Sequence, residues 1–145
     1  MRIGIGNDHS AVDMKNEVVE FLQSLGHEVV NYGTDSYASC NYPEFGEKVA
    51  RAVVAEEVDC GILICGTGVG ISLAANKVKG IYCAKVDTIH ESISCREHND
   101  ANVIALSSHK SLLTTKKIIN NFINTKFLGL DRYNRRIETI KSLEK

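Results

Sequence analysis

The chain has no tryptophan and one proline, Pro43, among its 145 residues. So little proline argues against proline-rich linkers and recognition segments. The five cysteines (Cys40, Cys60, Cys65, Cys83 and Cys95) are odd in number and contain no C-x-x-C pair. That pattern is neither a disulfide framework nor a zinc site, and points to reduced thiols in a cytoplasmic protein. An excess of one charge is also missing: 17 Lys and Arg face 18 Asp and Glu. No global field recruits nucleic acid or an anionic membrane. No apolar run approaches the roughly 18–20 residues of a membrane span. The opening Met1-Arg-Ile-Gly-Ile-Gly6 reads as a strand, not as a signal-peptide core.

What is present is ordinary globular composition, 43% hydrophobic and 24% charged with 11 glycines, in a length that suits one domain over residues 1–145. Short apolar runs alternate with longer amphipathic stretches. Strands are expected at Ile3–Ile5, Glu28–Val30, Gly61–Cys65, Gly80–Ala84 and Val103–Leu106. Helices are expected over about 12–25, 44–56, 88–97, 112–122 and 133–143, with another starting near Ile71. This alternation predicts an α/β fold: one doubly wound, Rossmann-like, five-stranded parallel sheet with helices on both faces. Such sheets bind ligands beyond the carboxyl ends of their strands, which directs attention to residues 6–10, 31–43, 65–70, 85–87 and 107–111.

The strongest local signal is Cys65-Gly66-Thr67-Gly68-Val69-Gly70. Three alternating glycines let a ligand approach the backbone and turn several N–H groups into one space. The following helix start adds its positive end, so the segment reads as an anion hole. Ile71 stands where a dinucleotide fingerprint needs glycine and where a thiol phosphatase loop needs arginine, and no lysine follows as a P-loop requires. Helix N-termini favour the thiolate form, so Cys65 reads as a base or nucleophile, with a buried structural thiol as the plain alternative. The other four cysteines keep that plain reading.

Asn7-Asp8-His9 lies in the first post-strand loop, where Asp8 and His9 also suit a helix cap. His98-Asn99-Asp100 forms a second polar cluster at a helix end, where His98 also suits the helix dipole. With Cys65, these loops are expected on one edge of the sheet. No pair of histidines has H-x-x-x-H spacing, so no metal is expected. Arg132 and Arg136 are four apart and share a helical face. Residues 126–145 hold six Lys or Arg against three acidic residues, so this face is either solvated or set to bind a phosphate dianion.

On these residues the sequence resembles the type B ribose-5-phosphate isomerases, a superfamily shared with galactose-6-phosphate isomerase. The markers are Asp8-His9, Tyr42-Pro43, the run Gly61 to Ser72, Ala75-Asn-Lys77, Arg96-Glu-His-Asn-Asp100, and Arg132 with Arg136. The resemblance spans essentially the whole chain. It implies aldose–ketose isomerisation of ribose 5-phosphate and ribulose 5-phosphate, or alternatively of a hexose 6-phosphate. A non-catalytic phosphate-binding module is the reading from outside enzymology. It further implies Cys65 as the base and His98 as an aid to ring opening from a neighbouring subunit. Gly66, Thr67, Gly68, Val69 and Gly70, with Asn99, would stabilise an enediolate. His9, Arg132 and Arg136 would hold the phosphate, and Asp8 and Tyr42 would contact sugar hydroxyls. No cofactor is implied. The partners expected are a small sugar phosphate and a second copy of the chain, as a homodimer or tetramer whose C-terminal helix reaches a neighbour to share its site.

Three departures stand out. His109 replaces an arginine that family members use for phosphate, Ser10 replaces a glycine that commonly follows the histidine, and residues 82–90 diverge from the usual run.

Overall fold

The computed structural model describes residues 1–144. Five strands form one sheet: β1 Arg2–Asn7, β2 Glu28–Asn31, β3 Cys60–Cys65, β4 Cys83–Lys85 and β5 Val103–Ser107. Six helices alternate with them: α1 Val12–Ser24, α2 Tyr42–Val54, α3 Val69–Asn76, α4 Ile89–Asn99, α5 Leu112–Asn124 and α6 Asp131–Ser142. A short 3-10 turn, His9–Ala11, precedes α1. The strand order is β2-β1-β3-β5-β4 and every pairing is parallel.

β3 is buried along its whole length, as its run of apolar residues requires of a strand covered on both faces. Its side chains alternate between two cores. Cys60, Ile62 and Ile64 join Ile5, Leu22, Ile104 and Phe122 on one face, while Leu63 and Cys65 join Val49, Ile71 and Ala105 on the other. The second face is unusually close to α2, because a Cβ on Gly61 would lie 2.5 Å from Val49 Cγ1.

Three of the element boundaries that differ from expectation have a clear local reason. α2 starts at Tyr42, with Pro43 accommodated in the first turn, where no N–H is needed. α3 starts at Val69 because Gly68 takes a left-handed conformation (φ 80°) at its N-cap. β4 starts three residues late. The Asn102 side chain takes the Gly80 carbonyl at 2.9 Å and the Tyr82 amide at 2.9 Å, groups that strand pairing would otherwise use.

The winding reverses between β1 and β3. The carboxyl ends of those strands therefore flank the crevice where such sheets bind ligands. No helix among the described residues is long and apolar enough to cross a membrane.

Candidate active site

Cys65 ends β3 and its side chain turns back toward the start of α3. Its Sγ accepts the Gly68 backbone N–H at 3.2 Å, and the thiol is 5% exposed. The Gly66, Thr67 and Gly70 amides find no acceptor among the described residues. They are the orphan donors of a strand-to-helix junction, free for a ligand oxygen. Gly70 is needed for a different reason: a Cβ there would lie 2.3 Å from the Tyr42 hydroxyl. Tyr42 therefore lies across the nest and remains partly open to solvent.

The first loop closes the other side. Asp8 donates its N–H to the Ile64 carbonyl at 3.1 Å, extending the β1–β3 pairing by one bond. Its Oδ1 accepts from Ser10 N at 3.0 Å and Ser10 Oγ at 2.6 Å, so that carboxylate oxygen caps the 3-10 turn. Ser10 Oγ lies 3.9 Å from the position a Cβ on Gly66 would take. His9 is half-buried, with Nδ1 3.4 Å from Cys40 N and 3.6 Å from Cys40 Sγ.

Beyond β5, Ser107 Oγ donates to the Gly66 carbonyl at 2.7 Å and accepts the His109 N–H at 3.1 Å. A cleft of about 410 Å³ continues from Gly66 and Thr67 past Lys85, Asp87, Ser107, His109 and Lys110. His109 thus reaches the rim of the glycine nest.

The remaining expected residues lie elsewhere. α4 begins after the carboxyl end of β4 and runs back, so His98 and Asn99 are at the amino edge of the sheet. Asn99 borders Cys83 and Ala101 there. The His98 ring stacks on Tyr133 of α6, with centroids 4.8 Å apart and planes inclined by 29°. Arg132 lies over the Tyr133 ring at 4.7 Å and donates to its hydroxyl at 3.1 Å. Arg136 follows one turn along the exposed face of α6. The expectation of a single shared edge is therefore corrected. Cys65, Gly66–Gly70, Asp8, His9, Tyr42 and His109 gather at the carboxyl edge, while His98, Asn99, Arg132 and Arg136 gather at the amino edge. The length of β3, about 17 Å at 3.3 Å per residue, separates them.

The chain as a whole is similar to known isomerases. Residues 3–140 match the family described as Ribose/Galactose Isomerase. The chain belongs to this family. Ribose-5-phosphate isomerase B of Escherichia coli is 40% identical over 144 residues, which cover 99% of this chain and 96% of that protein. A galactose-6-phosphate isomerase subunit of Clostridium acetobutylicum is 41% identical over 128 residues, covering 88% of this chain and 74% of its own length. The solved structure of Clostridium thermocellum ribose-5-phosphate isomerase B superposes with a TM-score of 0.97 at 43% identity, covering 99% of this chain and 97% of that one. The fold resemblance inferred from sequence therefore holds over the full length of this isomerase-family chain.

Two polar residues at the nest escaped sequence reasoning. Ser107 pins the Gly66 carbonyl, and because a trans peptide points its N–H opposite its C=O, the Thr67 amide is turned toward the open side. A hydroxyl on the last residue of the strand beside β3 was the available signal. Ser10, recognised only as a departure, ties Asp8 down and stands over Gly66.

Proposed function

We propose that the chain, acting as one domain, is an aldose–ketose isomerase that interconverts ribose 5-phosphate and ribulose 5-phosphate. Full-length likeness to ribose-5-phosphate isomerases B supports the pentose over a hexose 6-phosphate. One observation carries the chemistry: a thiol held at hydrogen-bond distance from an amide, inside a nest of unpaired N–H groups.

After ring opening, Cys65 as thiolate removes the C2 proton of the aldose. Electrons move into a C1–C2 double bond and onto the carbonyl oxygen, giving an enediolate. The C2 hydroxyl proton passes to O1 as the thiol returns its proton to C1, so the ketose forms at C2. Negative charge collects on oxygen during this step, and each well-placed N–H in the Gly66–Gly70 nest is worth about 3 kcal/mol to it. The electrons stay within the sugar, so the step is complete without a cofactor. His9 and His109 take the phosphate from this edge, Asp8 and Tyr42 take sugar hydroxyls, and Thr67 completes the oxyanion hole. Binding energy at the remote phosphate fixes the reacting carbons.

His98, Asn99, Arg132 and Arg136 act in the nest of a second copy. Their distance from Cys65 within one chain supports a homodimer, or a tetramer built from it, in which each C-terminal helix completes the neighbour's site. His98 then assists ring opening, Asn99 the enediolate, and the two arginines clamp the phosphate dianion. Five free thiols suit the reducing cytoplasm.

The test is turnover of ribose 5-phosphate by the wild-type protein, with allose and galactose 6-phosphates as comparison substrates. Formation of ribulose 5-phosphate is the expected result. Preferential turnover of either hexose phosphate would overturn the pentose assignment, and no turnover of any of the three would overturn isomerisation of these substrates.

A further inference from the structure

Lys15, on α1, is 1% exposed and stands among the largest of the fully buried side chains. A buried ammonium must regain by hydrogen bonding what it loses in hydration, so its partners are informative. Both belong to the segment after β2. Nζ donates to the Thr34 carbonyl at 3.3 Å and pairs with Asp35 Oδ1. The carboxylate is 74% exposed, so the fixed end of the pair is the lysine and the held end is the loop. The hydrogen bond from Lys15 keeps the Asp35 carboxyl below its ordinary range, with a second bond from Asn31 adding to it.

The rest of this irregular segment is stitched to the same unit. Asn7 Nδ2 donates to the Thr34 carbonyl at 3.0 Å, and the Tyr37 hydroxyl donates to Asp13 Oδ1 at 2.5 Å. At the far end, the Cys40 N–H donates to His9 Nδ1 at 3.4 Å. Two residues later the chain enters α2 with Tyr42 across the nest. The segment 33–41 therefore runs from the buried Lys15 ammonium to the two side chains that bound the site.

The Cys40 contact has a chemical consequence. A ring nitrogen that accepts an N–H carries no proton, so the contact selects the His9 tautomer protonated on Nε2. That leaves an N–H donor to offer to a ligand oxygen.

We propose that Lys15 is a positioning residue for phosphate recognition: through Thr34 and Asp35 it holds the 33–41 segment where the Cys40 amide fixes His9 as an Nε2–H donor. The proposal rests on the reading of His9 as a phosphate contact given above. Lys15 touches no substrate, and its effect reaches the site through the segment.

The experiment compares the full-length wild type with Asp35→Ala and Lys15→Met. Asp35→Ala removes the exposed carboxylate and leaves the Lys15 ammonium on the Thr34 carbonyl, whereas Lys15→Met removes the buried charge itself. Kinetics with ribose 5-phosphate are read beside long-range 15N–1H spectra of His9, assigned by their loss in His9→Asn. Both variants are expected to raise KM about tenfold with kcat within about twofold, the signature of lost binding rather than lost chemistry. The His9 spectrum should change from one acceptor-type and one donor-type nitrogen to a mixture of tautomers. An unchanged KM, an equal fall in kcat, or an unchanged His9 spectrum in Asp35→Ala overturns the proposal. Should Lys15→Met not fold, Asp35→Ala decides alone. Should the wild type turn over no sugar phosphate, the functional reading fails, and the His9 spectrum still decides: loss of the single tautomer in Asp35→Ala upholds the positioning role, and its retention overturns it.

Discussion

Cys65 Sγ stands 3.2 Å from the backbone nitrogen of Gly68, so the thiol and the amide nest are parts of one turn. A sulfur placed there can take a proton while neighbouring amides receive the charge that proton leaves behind. Cys65→Ala is therefore expected to lower kcat by about 10²–10⁴-fold, the usual range for loss of a positioned acid–base group. Cys65→Ser should be nearly as damaged, since a hydroxyl accepts the Gly68 N–H but is a far weaker base. Steady-state turnover and exchange of the C2 hydrogen with solvent deuterium should fall together. An alanine variant within tenfold of wild type would remove Cys65 from the base role.

A second substitution isolates the nest from the base. Ser107 holds the Gly66 carbonyl at 2.7 Å and thereby sets the direction of the Thr67 amide. Ser107→Ala leaves Cys65 in place and frees that peptide to rotate. A fall in kcat of about tenfold, smaller than loss of a complete oxyanion donor, is expected with KM little changed. Ser107→Thr keeps the hydroxyl and should recover most of the activity. Equal kcat values for Ser107→Ala and wild type would show that the Gly66 peptide needs no such pin.

Much of this arrangement can be read from the sequence, and the misses have physical causes. Gly61-Ile-Leu-Ile-Cys65 reads as a central strand because only a strand covered on both faces tolerates such a run, and it is one. The β4 boundary is hidden because the Asn102 amide that displaces it comes from twenty residues away. Lys15 is silent because a lysine on an amphipathic helix ordinarily reads as its solvated margin, whereas here Thr34 and Asp35 draw it inside. The position of His98 is a different kind of miss. A helix that follows a parallel strand must return to the amino edge, so the alternation of elements already separates the last turn of α4 from Cys65.

Three thiols outside the site make stability depend on pH. Burial pushes Cys60 up to about 12, Cys83 to about 12 and Cys95 to about 11, from an ordinary value of 9.0. The unfolded chain thus releases these protons at lower pH than the folded one. Their contribution is intact below pH 9 and is lost as pH rises toward 11 and 12. Urea midpoints measured from pH 7 to 11 should be level at first and then fall. Cys95→Ala should shift the midpoint at pH 7 but flatten part of the alkaline decline. A decline of equal slope in that variant would mean that other groups cause it.

The separation of the two polar clusters gives the sharpest prediction. Cys65 lies at one edge of the sheet, while His98, stacked on Tyr133, lies at the other. If a second copy brings them together, Cys65→Ala and His98→Ala damage different halves of each composite site. A dimer of one variant with the other carries both lesions in one site and none in the other. Subunits mixed in equal amounts and allowed to exchange form half mixed dimers, so activity should return to about one quarter of wild type. Each variant alone should stay far below that level. Sedimentation velocity on the same samples should show a dimer or a larger even assembly. Mixing that restores nothing, under conditions where labelled subunits are seen to exchange, would place the working histidine elsewhere than on the partner.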